Sequence, residues 1–232
     1  MQTPTYLARR GQLETYFDRT AAEAWERLTS NAPVSRIRAT VRAGRDRMRA
    51  TLLDWLPHDL TGARLLDAGC GTGALSVEAA PRGAAVVAID LAGNLVEVAR
   101  QRIAASGCRG IELKVGDMLD PALGTFDHVV AMDSLIHYPK PELVGMLAGL
   151  AARASHSVVF TFAPRTPALS AMHAVGRFFP RSDRAPAIEP ISEISLRDGI
   201  AHKAELAGWV AGRSERVVSG FYTSQAMELS RK

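Results

Sequence analysis

Cysteine is scarce in this chain: Cys70 and Cys108 are the two among 232 residues. They lie far apart, one of them inside a glycine-rich turn, and so make no disulfide framework. Neither has the neighbours of a zinc site, and no protein-bound metal is expected. This usage predicts a reducing, cytoplasmic setting. No apolar run is long enough to span a bilayer. The N-terminus, Met1 to Arg10, lacks the apolar core of a signal peptide. The expectation is therefore no transmembrane segment, with any membrane contact peripheral. Aromatic residues are only 6% of the chain, and none interleave with its basic stretch. With no recognition fold either, nucleic acid is disfavoured as a partner. Internal repeats and low-complexity tracts are absent. What is present is ordinary soluble composition, a net charge of +4, and length for one α/β domain with a small appendage.

Acidic residues are nearly missing from one segment. Between residues 36 and 49 stand Arg36, Arg38, Arg42, Arg45, Arg47 and Arg49, against Asp46 alone. Val34, Ile37, Val41, Met48, Leu52 and Leu56 recur there near a seven-residue period, which predicts a helix from about Val34 to Leu56, stopped by Pro57. Its basic face is either simply solvated or a surface for an acidic substrate, a partner or membrane headgroups. Before it, Leu13, Phe17, Ala21, Ala24 and Leu28 predict a first helix over 12–29, with Trp25 beside them. Residues 1–57 thus read as a helical arm or cap, and 58–232 as the main domain.

From Ala63 strands and helices alternate. Strands are expected at 64–67, 85–90, 111–115, 126–132 and 157–163. Helices are expected at 74–82, 93–105 and 142–154. Strict alternation implies a mostly parallel sheet with helices on both faces and right-handed crossovers. A proline-rich insert, 164–190, interrupts the pattern and carries the apolar stretch Ala168 to Phe179. It falls after the fifth strand, over the carboxyl edge where open α/β sheets bind ligands. It reads either as a surface for a large apolar substrate or partner, or as a helix packed on the core. A helix over 191–208 and a closing antiparallel hairpin, 210–218 with 221–229, complete a seven-stranded sheet.

The chemistry concentrates in Leu65-Leu66-Asp67-Ala68-Gly69-Cys70-Gly71-Thr72-Gly73. A short apolar strand enters a turn with three alternate glycines, and a helix follows. Glycine accepts positive φ and lets a ligand lie on the main chain. Dinucleotide folds use G-x-G-x-x-G, with a pyrophosphate at the helix N-terminus. Here the spacing is G-x-G-x-G, and Asp67 stands at the strand tip. A carboxylate there repels a pyrophosphate and suits a cationic amino-acid end. S-adenosylmethionine has such an end on an adenosine, and the pattern resembles motif I of the class I methyltransferases, a Rossmann-like α/β fold.

Two further acids fit that ligand. Asp90 ends the second strand, where it can accept the ribose hydroxyls, with Leu91 beside the adenine. Gly116-Asp117-Met118 ends the third strand: Asp117 can accept the adenine amine, and Met118 offers a soft apolar neighbour. Met132 ends the fourth strand, toward the methionine end. The candidate cofactor residues are thus Asp67, Ala68, Gly69, Gly71, Gly73, Asp90, Leu91, Asp117, Met118 and Met132. Arg42 on the basic helix can meet the cofactor's carboxylate. Any one of the acids has a lesser reading as a helix N-cap, which does not extend to all of them together.

More of the chain is familiar. Tyr16-Phe17-Asp18-Arg19-Thr20 with Trp25, Val41-Arg42-Ala43-Gly44, the glycine motif, Met132-Asp133-Ser134-Leu135-Ile136-His137-Tyr138-Pro139, Phe162-Ala163-Pro164-Arg165-Thr166 and Phe178-Phe179-Pro180 occur in this order. Together they resemble the magnesium-protoporphyrin IX O-methyltransferase family of bacteriochlorophyll biosynthesis, over nearly the whole chain. The resemblance implies transfer of a methyl from S-adenosylmethionine to the ring-C propionate of magnesium protoporphyrin IX. It implies that His137 is catalytic, holding the carboxylate by a hydrogen bond or meeting the chelated magnesium as a neutral imidazole. It implies a tyrosine on a closing N-terminal arm. Tyr16 lies on that arm, while farther along the first helix this chain has Leu28-Thr29. A flat macrocycle with anionic propionates suits the apolar insert and nearby Arg165, Arg177 or Arg181. The resemblance also implies work beside magnesium chelatase, whose porphyrin-binding subunit would meet the Arg-rich helix.

The near rival is a class I methyltransferase acting on another small acid, phenol or quinone precursor. A binding module that keeps S-adenosylmethionine only structurally would tolerate loss of the glycine motif, which is intact. A nicotinamide oxidoreductase is disfavoured by the G-x-G-x-G spacing and by Asp67.

Overall fold

The computed structural model describes residues 4–19, 36–165 and 187–232. Two helices come first: α1 (Pro4–Arg19) and α2 (Arg36–Asp54). Strands β1 (Arg64–Ala68), β2 (Ala85–Asp90), β3 (Ile111–Val115), β4 (Phe126–Ala131) and β5 (Ala154–Phe162) follow. Between them run α3 (Ala74–Ala79), α4 (Gly93–Ser106) and α5 (Lys140–Ala151). A last helix, α6 (Glu193–Ala201), precedes β6 (Trp209–Ser219) and β7 (Tyr222–Arg231).

The sheet has seven strands in the order β3-β2-β1-β4-β5-β7-β6. The first five are parallel, and β7 pairs antiparallel with both β5 and β6. The order turns outward in both directions from β1 and β4, which places the ligand crevice at their carboxyl ends. Alternating side chains go to opposite faces. Leu65 packs with Met48 and Leu52 of α2, whereas Leu66 packs with Leu143 and Leu147 of α5. Each face therefore has its own apolar layer, as a parallel sheet covered on both sides requires.

The expected strands match to within a few residues, and β2 and β3 match at both ends. The first helix differs. It starts at Pro4, eight residues earlier than the periodicity predicts, because Tyr6 is buried by contacts remote in sequence. The rest of the expected 12–29 helix, with Ala21, Ala24, Trp25 and Leu28-Thr29, lies outside the described residues. So does most of the insert, including Leu169 to Phe179, Arg177 and Arg181. The expected last helix splits into α6 and a short 3-10 turn, Ala204–Leu206. Among the described residues, no helix is long and apolar enough to cross a membrane.

Candidate active site

The turn after β1 is built as its glycines require. Gly69, Gly71 and Gly73 have φ of +82°, +52° and +74°. At Gly69 a side chain would also strike Ser134, with a Cβ 2.3 Å from the serine Cβ. At Gly71 nothing lies within 4 Å of such a Cβ. The main chain there faces open cleft, where a ligand can lie directly on it. Gly73 instead packs on Ala99 of α4.

Three acids hold different places around this turn. Asp67 is buried beneath it and accepts a hydrogen bond from Ser76 Oγ at 2.6 Å. Burial pushes its carboxyl up to about 7, with the Ser76 hydroxyl opposing and Asp90 adding to the rise. A cation arriving in the cleft would reverse that shift. Asp90 Oδ2 accepts the Gly71 N–H at 2.8 Å, and Oδ1 accepts the Ala92 N–H at 3.0 Å. Its carboxylate therefore fixes the glycine turn as well as facing the cleft. Burial raises its pKa, and the backbone donors oppose the rise. Each carboxylate oxygen can accept more than one hydrogen bond, which leaves acceptor capacity for ribose hydroxyls.

Asp117 departs from its expected place. Its carboxylate takes the Tyr6 hydroxyl at 2.7 Å, Arg10 at 3.0 Å and the Leu119 N–H at 2.8 Å. It anchors α1 across the β3 tip and, among the described residues, is not part of the cleft wall. Its neighbours Gly116 and Met118 are. Ala68 is also beneath the wall, where its carbonyl accepts Ser134 Oγ at 2.7 Å. Leu91, Met132 and Arg42 line the cleft.

Helix α1 closes one side. Tyr6 stacks on Tyr138 with centroids 5.6 Å apart. Arg9 pairs with Glu189 at 2.9 Å. Asp18 accepts the Asn94 N–H at 2.8 Å and so caps α4, whose own N-cap residue supplies no side chain. Leu13 and Phe17 of this helix reach the cleft. Tyr16 does not: it is half-buried, edge-on to Phe17 at 5.1 Å, and outside the lining. Among the described residues, the aromatic side chain that α1 brings to the cleft is thus Phe17, which the periodicity marked only as core.

His137 is buried at the mouth, its ring 5.9 Å from that of Phe17. Its Nδ1 lies 3.2 Å from the Ala187 carbonyl oxygen. A carbonyl only accepts, so Nδ1 carries the proton, and in the neutral ring Nε2 presents a lone pair. These side chains line one cleft that opens to solvent beside the glycine turn. Sequence reasoning missed Arg45, Asp133 and Ser134, which also line it. Asp133 and Ser134 fall inside the Met132-to-Pro139 segment, which was the one signal available.

Residues 131–231 match the family described as magnesium-protoporphyrin IX methyltransferase C-terminus, and residues 65–155 match a methyltransferase domain. The chain is 46% identical to the magnesium-protoporphyrin O-methyltransferase of Rhodobacter capsulatus, over 96% of this chain and 97% of that one. It is 31% identical to the chloroplastic magnesium protoporphyrin IX methyltransferase of Arabidopsis thaliana, over 92% of this chain and 68% of that one. Among solved structures it is similar to magnesium protoporphyrin IX methyltransferase from Synechocystis PCC 6803 with bound SAH. There the TM-score is 0.84 at 27% identity, covering 96% of this chain and all of that one.

Proposed function

The chain belongs to the magnesium-protoporphyrin O-methyltransferase family, and from that premise we propose that it esterifies the ring-C propionate of magnesium protoporphyrin IX in bacteriochlorophyll synthesis. The products are the monomethyl ester and S-adenosylhomocysteine. The observation that carries this reading is one cleft whose wall holds both the glycine turn with Asp67 and Asp90 and the buried His137 with Phe17 and Tyr138.

S-adenosylmethionine supplies an electrophilic methyl on a sulfonium. The chain's own work is binding, alignment and exclusion of water. Asp67 offers its carboxylate to the cationic end, Asp90 to the ribose, and Leu91 and Met118 enclose the adenine. Arg42 is proposed for the methionyl carboxylate. A propionate resembles a glutamate side chain, with a pKa of roughly 4.3, so it is ionised before it arrives and needs no general base. His137 donates from Nδ1 to Ala187, which supports a neutral Nε2 facing the chelated magnesium. A hydrogen bond from His137 to the carboxylate would need a second proton on the ring. Phe17 and Tyr138 give the macrocycle an apolar wall.

Residues 1–57 serve in this reading as a cap over the domain 58–232, with the insert 164–190 on the substrate side. The contacts of α1 with Asp117, Glu189 and Asn94 support it. Exposed Arg38 and Arg47 on α2 fit an acidic face of the porphyrin-binding subunit of magnesium chelatase. The test is methyl transfer from labelled S-adenosylmethionine to magnesium protoporphyrin IX, with metal-free protoporphyrin and a quinol precursor in parallel. Label in the magnesium porphyrin alone is expected. Label in the quinol alone overturns the substrate and keeps the cofactor site.

A further inference from the structure

His137 is held at Nδ1 by a segment that no cofactor contact described above accounts for. Residues 187–191 run as a strap beside the loop after β4. The Ala187 carbonyl accepts from His137 Nδ1 at 3.2 Å, and the Glu189 N–H donates to the Ile136 carbonyl at 2.9 Å. The buried Ile191 then seats the end of the strap. Its N–H donates to the Ala163 carbonyl at 2.9 Å, and its own carbonyl accepts the Arg165 N–H at 3.0 Å. These bonds fall on alternate residues, the pattern of an extended segment paired along one edge. Pro190 has no N–H to donate, and it stands between two bonding positions, where none of these bonds is lost. It also restricts Glu189 to extended backbone.

Glu189 has a second attachment. Its carboxylate takes Arg9 of α1 at 2.9 Å, with both side chains half-buried. The same helix stacks Tyr6 on Tyr138, the residue after His137, and brings Phe17 to 5.9 Å from the His137 ring. Helix, strap and loop therefore meet around one imidazole. A half-exposed ion pair adds little to global stability. Its effect here is directional, because Ile188 alone separates Glu189 from the carbonyl that meets Nδ1. The hydrogen bond at one imidazole nitrogen decides which nitrogen carries the proton. Whatever holds Ala187 in place thus holds the tautomer and direction of His137.

We propose that Glu189 is a positioning residue: paired with Arg9, it ties α1 to the strap and keeps the Ala187 carbonyl on Nδ1 of His137. The inference rests on the place given to His137 in methyl transfer under the proposed function.

The test uses the full chain, the variants Glu189→Gln and Arg9→Gln, and the charge exchange Arg9→Glu with Glu189→Arg. Three properties are read: nitrogen–proton NMR correlations of the His137 ring (assigned by their loss in His137→Gln), kcat and KM with magnesium protoporphyrin IX, and Kd for S-adenosylhomocysteine. The parent ring should show the Nδ1–H tautomer. Either single variant should admit the Nε2–H form and lower kcat roughly three- to tenfold through lost alignment; one suffices should the other not fold. KM and Kd should stay within about twofold of the parent. The charge exchange should restore the single tautomer and bring kcat back to within about twofold. The proposal is overturned by an Nε2–H ring in the parent, or by single variants whose ring and kcat match the parent's. It is equally overturned by losses that the charge exchange leaves unrepaired. A weakening of S-adenosylhomocysteine as large as the fall in kcat also overturns it, since the pair would then act on the cofactor half. A parent protein that leaves magnesium protoporphyrin IX unmethylated overturns the substrate reading instead, and the His137 ring signals still judge the tie.

Discussion

Asp67 is the residue whose environment says most. Its carboxyl is raised to about 7 by burial, above an unfolded value near 3.9. The folded protein therefore holds a proton that the unfolded chain has lost between those values, and this site's contribution to stability falls as pH rises through that window. A cationic ligand prefers the ionised form. Its affinity should climb as pH rises from 5.5 to 7, by at most about tenfold per unit, and level off above. Calorimetric titration with S-adenosylmethionine checks this, and Asp67→Asn should weaken binding and flatten the profile. His137 makes a separate prediction. His137→Ala should lower kcat on the order of a hundredfold through lost alignment, with S-adenosylhomocysteine affinity close to the parent's. An equal fall in that affinity would assign His137 to the cofactor half. At this scale the sequence was readable where function follows from spacing. The glycine turn and Asp90 announce themselves within 24 residues. Asp133 does not, because its partners lie 28 to 91 residues away and meet only in the folded chain.

Among the elements, α2 links the basic stretch to the cleft. Its apolar residues Met48 and Leu52 pack on the sheet, while Arg42, Arg45 and Arg49 face the cleft. Arg49 is taken by Asp46 and Glu78, and Arg45 by Asp133. The segment is thus far less a bare positive surface than its composition suggests. The helix sits close on the hairpin because it has a glycine there: a Cβ at Gly44 would lie 2.5 Å from Cδ1 of the Tyr222 ring. Gly44→Ala should displace Tyr222, lower stability by about 1–3 kcal/mol in urea unfolding, and disturb the Asp133 network with it. An unchanged midpoint would mean the helix shifts freely. Strands β2 and β3 were legible to their end residues because each is a short run stopped by Gly or Asp chemistry. The start of α1 was not. Pro4 is a fair first-turn residue, but Tyr6 is buried by Tyr138 and Asp117, a contact that no local periodicity contains.

For the whole molecule, the sheet order decides the function more than any one motif. Crossovers to both sides of β1 and β4 gather Asp67, Asp90, Met118 and Met132 at one edge. The antiparallel hairpin then brings Tyr222 and Ser224 to the same edge from the far end of the chain. Alternation of strands and helices made the first part predictable, since buried parallel strands and their crossovers leave little choice. The convergence of α1, α2 and β7 on the cleft depends on packing between faces and carries no comparable pattern. This assembly is expected to align one carboxylate of a magnesium porphyrin with one methyl. The most direct measurement is a single-turnover reaction of the protein with methyl-labelled S-adenosylmethionine and magnesium protoporphyrin IX, followed by identification of the labelled product. A monomethyl ester of the magnesium porphyrin, absent with metal-free protoporphyrin, is the predicted result. Equal labelling of the metal-free macrocycle, or label only in a quinol, would contradict it.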